Sequence, residues 1–103
     1  MFNESELLQG NTLIYAGAEN IHELVHLCHK HGIIWNPGYA ASDEQIQQFA
    51  DLYGKYTGLQ LGNYRSRIRY RFVHIDPTTP GIRHFYSSQE SQISSADVLA
   101  MLG

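Results

Sequence analysis

The segment "NYRSRIRYRFVHI", residues 63–75, constrains the fold more than any other. Its side-chain character changes at every second position, a period that suits a strand and not a helix. Read as one continuous strand, Tyr64, Ser66, Ile68, Tyr70, Phe72 and His74 share the face turned to a core. Arg65, Arg67, Arg69 and Arg71 share the other face, each about 6–7 Å from the next. That second face becomes apolar at Val73 and Ile75. Such a strand needs sheet neighbours and a second layer over its apolar side.

The flanking sequence supplies both. "TLIYAGA" (12–18) is rich in β-branched and aromatic residues and predicts a strand. Asn20 is placed to N-cap a helix whose stripe is Ile21, Leu24, Val25 and Cys28, and Gly32 ends it. "IIW" (33–35) predicts a short buried strand and "NPG" (36–38) a turn. Ser42 with Gln45 forms a capping box for a second helix, with Ile46, Phe49, Ala50, Tyr53 and Tyr56 inward and Gly58 as its stop. "DPTTPG" (76–81) predicts a loop, and "IRHFYSS" (82–88) a hairpin partner for the Arg-rich strand. A third helix begins after Ser94, with Asp97 at N3, an Ile93–Val98 staple, and Val98, Leu99 and Leu102 inward. The fold expected is α+β: a small mixed or antiparallel sheet with three helices mainly on one face. Residues 12–103 form one domain after an N-terminal segment, 1–11.

The single Cys28 allows no internal disulfide and suits a reducing compartment. The acidic opening "MFNESELLQG" lacks a basic-then-apolar leader, and no apolar run is long enough to span a bilayer. A cytoplasmic protein is expected. The net charge of −3 conceals an asymmetry, because all five Arg lie between Arg65 and Arg83. Before them the only cations are Lys30 and Lys55, among Glu4, Glu6, Glu19, Glu23, Asp43, Glu44 and Asp51.

Residues 22–26 read H-E-x-x-H, the pattern in which two His one turn apart bind zinc and the Glu activates water. His22, His26 and His29 fall on one flank of the helix, and Cys28, His29 and His31 add further donors. Two features oppose a peptidase. Glu23 sits three residues after Asn20, where a Glu has a capping purpose. No third ligand follows in the helix, and the acids Asp43 and Glu44 stand where a helix start favours acids anyway. We expect no catalytic residue, no cofactor and no favoured metal, with His22, His26 and His29 the set to consider if a metal binds. Cys28 is expected to be a buried small hydrophobe. No phosphate-cradling Gly motif is present.

The Arg row carries the functional expectation. Guanidinium forks suit carboxylates, phosphates and bases, and four like charges on one strand call for compensation. Asp97 or Glu90 could supply it, as could a partner. The candidate binding residues are therefore Arg65, Arg67, Arg69, Arg71, Val73 and Ile75. The partners expected are a protein with an acidic surface or, alternatively, nucleic acid or a nucleotide, with a homodimer on the same face also open. A membrane partner is not expected.

Gly32, Trp35 and Gly38 form G-x-x-W-x-x-G, and residues 93–102 read "ISSADVLAML". In these motifs, and in its order of elements, the chain resembles a type of small bacteriophage protein. The resemblance implies a compact α+β fold and a viral or prophage origin, and no activity. It implies no catalytic residue. The function expected first is a non-enzymatic accessory protein that modulates a host protein in the host cytoplasm through the Arg face.

Overall fold

The computed structural model describes residues 12–76 and 92–102. Strand β1 (Thr12–Tyr15) leads through a turn into helix α1 (Ile21–Lys30). The helix buries Ile21, Leu24, Val25, Leu27 and Cys28 along one side. Asn20 does not cap it through its side chain, because its backbone is already helical (φ −111°, ψ −4°) rather than extended as a capping residue requires. The Asn20 amide instead donates to Ala16 O at 3.3 Å. Glu23 stays in the first turn, where its charge complements the helix dipole. The C-terminus closes as predicted at Gly32. With φ +76° there, Ile33 N–H donates to Cys28 O (2.8 Å) and Gly32 N–H to His29 O (3.1 Å), a Schellman motif.

Strand β2 is short (Ile34–Trp35) and half-buried, while Ile33 before it is buried. Helix α2 (Asp43–Tyr53) starts with the predicted capping box. Gln45 N–H donates to Ser42 Oγ at 3.2 Å, and Ser42 N–H donates to Gln45 Oε1 at 2.9 Å. It stops at Gly54 and not at Gly58. One 3-10 turn (Gly54–Tyr56) carries Tyr56 out of the helix, and strand β3 (Thr57–Tyr64) follows.

The predicted strand over 63–75 is divided. Arg65 (φ +50°) and Ser66 (φ +69°) form a two-residue reversal between β3 and β4 (Arg67–His74). Positive φ at both central residues is the mark of the hairpin turn whose twist matches its strands. The antiparallel partner of β4 is thus β3, with Tyr64 opposite Arg67 and Leu61 opposite Tyr70, while β2 pairs parallel on its other side. The predicted partner at 82–88 and the N-terminal segment 1–11 lie outside the described residues. Strand β5 (Gln92–Ser94) pairs parallel with β1 and runs into helix α3 (Ser95–Leu102).

The sheet order is β2-β4-β3-β1-β5, mixed, with the helices on one face: the α+β architecture expected. Ile14, Leu59, Leu61, Tyr70 and Phe72 face α1, α2 and α3 and form the core with Ile46, Val98 and Leu102. Trp35 joins it at the rim, edge-on to Phe49 and Phe72 at 5.9 and 5.7 Å. No helix among the described residues is long and apolar enough to cross a membrane.

On the sheet's other face a second small cluster forms from Leu13 and Ile75, flanked by Tyr15 and Val73. Ile75 lies over Gly58, where a Cβ would meet the Ile75 side chain and, at 2.6 Å, Ile14 O. Gly58→Ala is therefore expected to lower stability by about 1–3 kcal/mol through overpacking, read as a shift in the denaturant midpoint. An unchanged midpoint would show that the two strands do not approach this closely.

Candidate functional site

The turn at Arg65–Ser66 rearranges the residues that the alternation pattern had sorted into faces. In a hairpin, directly opposed residues share a face. Tyr64 opposes Arg67, so it lies on the Arg face and not on the core face where a continuous strand would put it. Its ring is exposed (42%) and lies across the backbone of Gly62, the residue opposite Arg69. Two surface depressions flank this ring. One, of about 280 Å³, is lined by Tyr64, Arg65, Arg67 and Arg69. The other, of about 360 Å³, is lined by Gln60, Gly62, Asn63, Tyr64 and Arg71.

The four Arg are not equivalent. Arg65 belongs to the turn, where it is exposed, and not to the strand. Arg67 and Arg71 are exposed on β4, and Arg71 Nε donates to Gln60 Oε1 at 2.6 Å. Arg69 is half-buried and donates from one terminal nitrogen to Asn36 O at 3.2 Å. Its Nε is buried with no partner. Among the described residues no carboxylate pairs with any of these four; the basic side chains that come within 4.0 Å of a carboxylate are His22 and His26, at Asp43. Asp97 lies on α3, in the helical layer, and Glu90 lies outside the described residues. Glu19, Glu23, Asp43, Glu44 and Asp51 are exposed among the helices and the turn leading into them, so negative charge gathers opposite the Arg face. The apolar end of the row does not serve as an exposed anchor. Ile75 is 2% exposed and Val73 is half-buried beside it.

The histidines also separate. His29 leaves the expected trio, because its Nε2 lies 2.7 Å from the hydroxyl of buried Tyr70. That hydroxyl also accepts from Ala41 N–H at 3.2 Å, which leaves its one proton available for His29 Nε2. Burial, and then the charge of His26, hold His29 below its usual pKa. Burial pushes Tyr70 up to about 12, against the opposing effect of the Ala41 N–H and with a smaller push from Cys28. Cys28 is buried, and burial pushes its thiol up to about 12, so it is no nucleophile. His31 Nε2 donates to Leu102 O at 3.0 Å, tying α1 to the end of α3. His22 and His26 meet Asp43, the first residue of α2. His26 Nε2 is 2.8 Å and His22 Nδ1 3.9 Å from Asp43 Oδ1. Two imidazoles and a carboxylate are the donor set that could hold a metal ion. The third donor missing from the helix itself is offered by Asp43, one of the two acids weighed for that place from the sequence.

No family model, curated protein or solved structure matches this chain.

The His29–Tyr70 pair predicts an acid-sensitive fold. The folded-state pKa of His29 is depressed below the unfolded value of about 6.5. As pH falls through that value the unfolded chain takes up a proton that the folded chain refuses, so stability falls. Unfolding midpoints in chelator should drop from pH 7 to pH 5, and His29→Gln should flatten that drop. Tyr70→Phe should cost about 1–3 kcal/mol at neutral pH by stranding the Ala41 N–H. A pH dependence unchanged by His29→Gln would remove His29 from the account.

Proposed function

We propose that this chain is a non-enzymatic binding protein whose open β3–β4 face holds single-stranded nucleic acid. The observation that carries the reading is Tyr64: an exposed ring lying among Arg65, Arg67, Arg69 and Arg71, with a depression on either side. An aromatic platform stacks a base, and neighbouring guanidinium groups meet the phosphates on each side of it. The absence of carboxylate partners for these Arg among the described residues leaves their charge for a ligand. The acidic helical layer would turn a polyanion away from the other side and orient its approach.

A second reading keeps the same face and exchanges the partner for a host protein with an acidic surface, the accessory role expected first from the sequence. Half-buried Ile34 and Val73, which border the Arg row on the same face, favour it. Burial of Ile75 weakens it, because the apolar centre expected of such an interface is used inside the fold.

Anisotropy of a labelled mixed-sequence oligonucleotide separates the two. Binding should weaken with salt, and Arg67→Gln with Arg71→Gln should lower the slope of log K against log salt by about 1.4, or about 0.7 for each phosphate no longer neutralised. Tyr64→Ala should cost about 1–3 kcal/mol of affinity. All three side chains are exposed, so stability should change by less than about 0.5 kcal/mol. If no oligonucleotide binds, while pull-down in the presence of nuclease captures a protein that the Arg variants fail to hold, the second reading replaces the first.

A further inference from the structure

We propose that His22, His26 and Asp43 form a binding site for a single divalent transition-metal ion of the zinc class, joining the start of α1 to the start of α2. The site is separate from the Arg face and does not depend on that reading. Three side chains from two helices each present one ligand atom, and these atoms all lie within 4.8 Å of one another. Zinc bonds of about 2.0–2.2 Å to nitrogen and oxygen put tetrahedral ligand atoms roughly 3.3 Å apart. The two distances to Asp43 Oδ1, 2.8 and 3.9 Å, bracket that value. His26 and Asp43 are exposed and His22 is half-buried, so these side chains have room to adjust around an ion.

The surroundings of His22 point the same way. Gln47, one turn along α2 from Asp43, donates through its amide nitrogen to Asp51 Oδ1 at 2.8 Å. Its carbonyl oxygen therefore faces His22 Nε2, at 3.0 Å, and can only accept. This holds the ring proton on Nε2 and leaves the lone pair on Nδ1, the atom turned toward Asp43. Fixing the tautomer of a ligand histidine from the far nitrogen is the usual task of a group just outside a metal site. At His26, Nε2 points at Asp43 Oδ1 over 2.8 Å, and a proton now occupies that line. A metal would take the place of that proton, with the ring proton moving to Nδ1. The donors are two imidazoles and one carboxylate, a borderline set that suits Zn²⁺, Co²⁺ or Ni²⁺ better than Ca²⁺ or Mg²⁺. The three ligands come from helix α1 and the first residue of helix α2, so a bound ion would fasten the two helices together.

The test uses full-length, untagged protein stripped with chelator and titrated with Co²⁺, followed by visible absorption, with Zn²⁺ as competitor. One Co²⁺ per chain should bind and be displaced by Zn²⁺, and Zn²⁺ should raise the unfolding temperature. His26→Ala and Asp43→Asn should each weaken binding at least about tenfold, and Gln47→Ala about tenfold because the tautomer is no longer held. Asp43→Asn keeps the shape at the helix start, so its loss of binding cannot be assigned to a failed fold. Glu23→Ala, at an exposed side chain outside the ligand set, should leave affinity within about twofold. The proposal is overturned if Co²⁺ does not bind saturably. It is equally overturned if binding survives Asp43→Asn.

Discussion

The two-residue reversal at Arg65–Ser66 sets everything that follows it in the sheet. Both residues carry positive φ, a conformation that costs an L-residue roughly 1–2 kcal/mol. Asn63 offsets part of this by accepting the Ser66 N–H on its side-chain oxygen at 3.1 Å. The turn fixes Tyr64 opposite Arg67, and from that pair the ladder follows down to Thr57 opposite His74. A slip of one residue would send Leu59, Leu61, Tyr70 and Phe72 to the wrong side. The same register that closes the core therefore assembles the Arg face and lays the Tyr64 ring beside it.

Tyr70 connects that register to the helical layer. It is fully buried in the central part of the sheet, yet its hydroxyl reaches His29 on α1 and Ala41 N–H just before α2. One side chain thus aligns both helices on the sheet. With α1 so aligned, His22 and His26 meet the first carboxylate of α2. The Arg face and the histidine cluster lie on opposite layers and share only this scaffold.

Much of the fold was legible in local pattern. The capping box at Ser42, the Gly32 stop, the stripe of α1 and the start of α3 next to Ser94 depend on neighbours in sequence, and each stands as expected, while the stripe of α2 loses Tyr56 to the 3-10 turn. The division of 63–75 was hidden because Arg65 and Ser66 are not the Asn-Gly type of pair that marks a reversal, and because strict alternation continues through them. Strand β3 was hidden by its own composition: Gly58, Gly62, Gln60 and Asn63 dilute the alternation of Leu59 and Leu61. The Arg row was visible, but its companion Tyr64 was not, since only the turn brings it across. The histidines were visible as a cluster and Asp43 as one of two acids weighed beside it, while His29 leaving it for Tyr70 is a long-range event without a local signature.

The molecule is thus a small α+β scaffold with charge separated between its layers and one aromatic ring exposed among guanidinium groups. On the reading proposed, ligand meets the sheet at Tyr64 and its Arg neighbours. Amide and side-chain NMR shifts during titration with a short single-stranded oligonucleotide test this most directly. The account predicts saturable shifts confined to Gln60, Gly62, Tyr64, Arg65, Arg67, Arg69 and Arg71, with upfield movement of the Tyr64 ring protons from base stacking. Shifts centred on the helices α1 and α2, with Tyr64 unmoved, would contradict it.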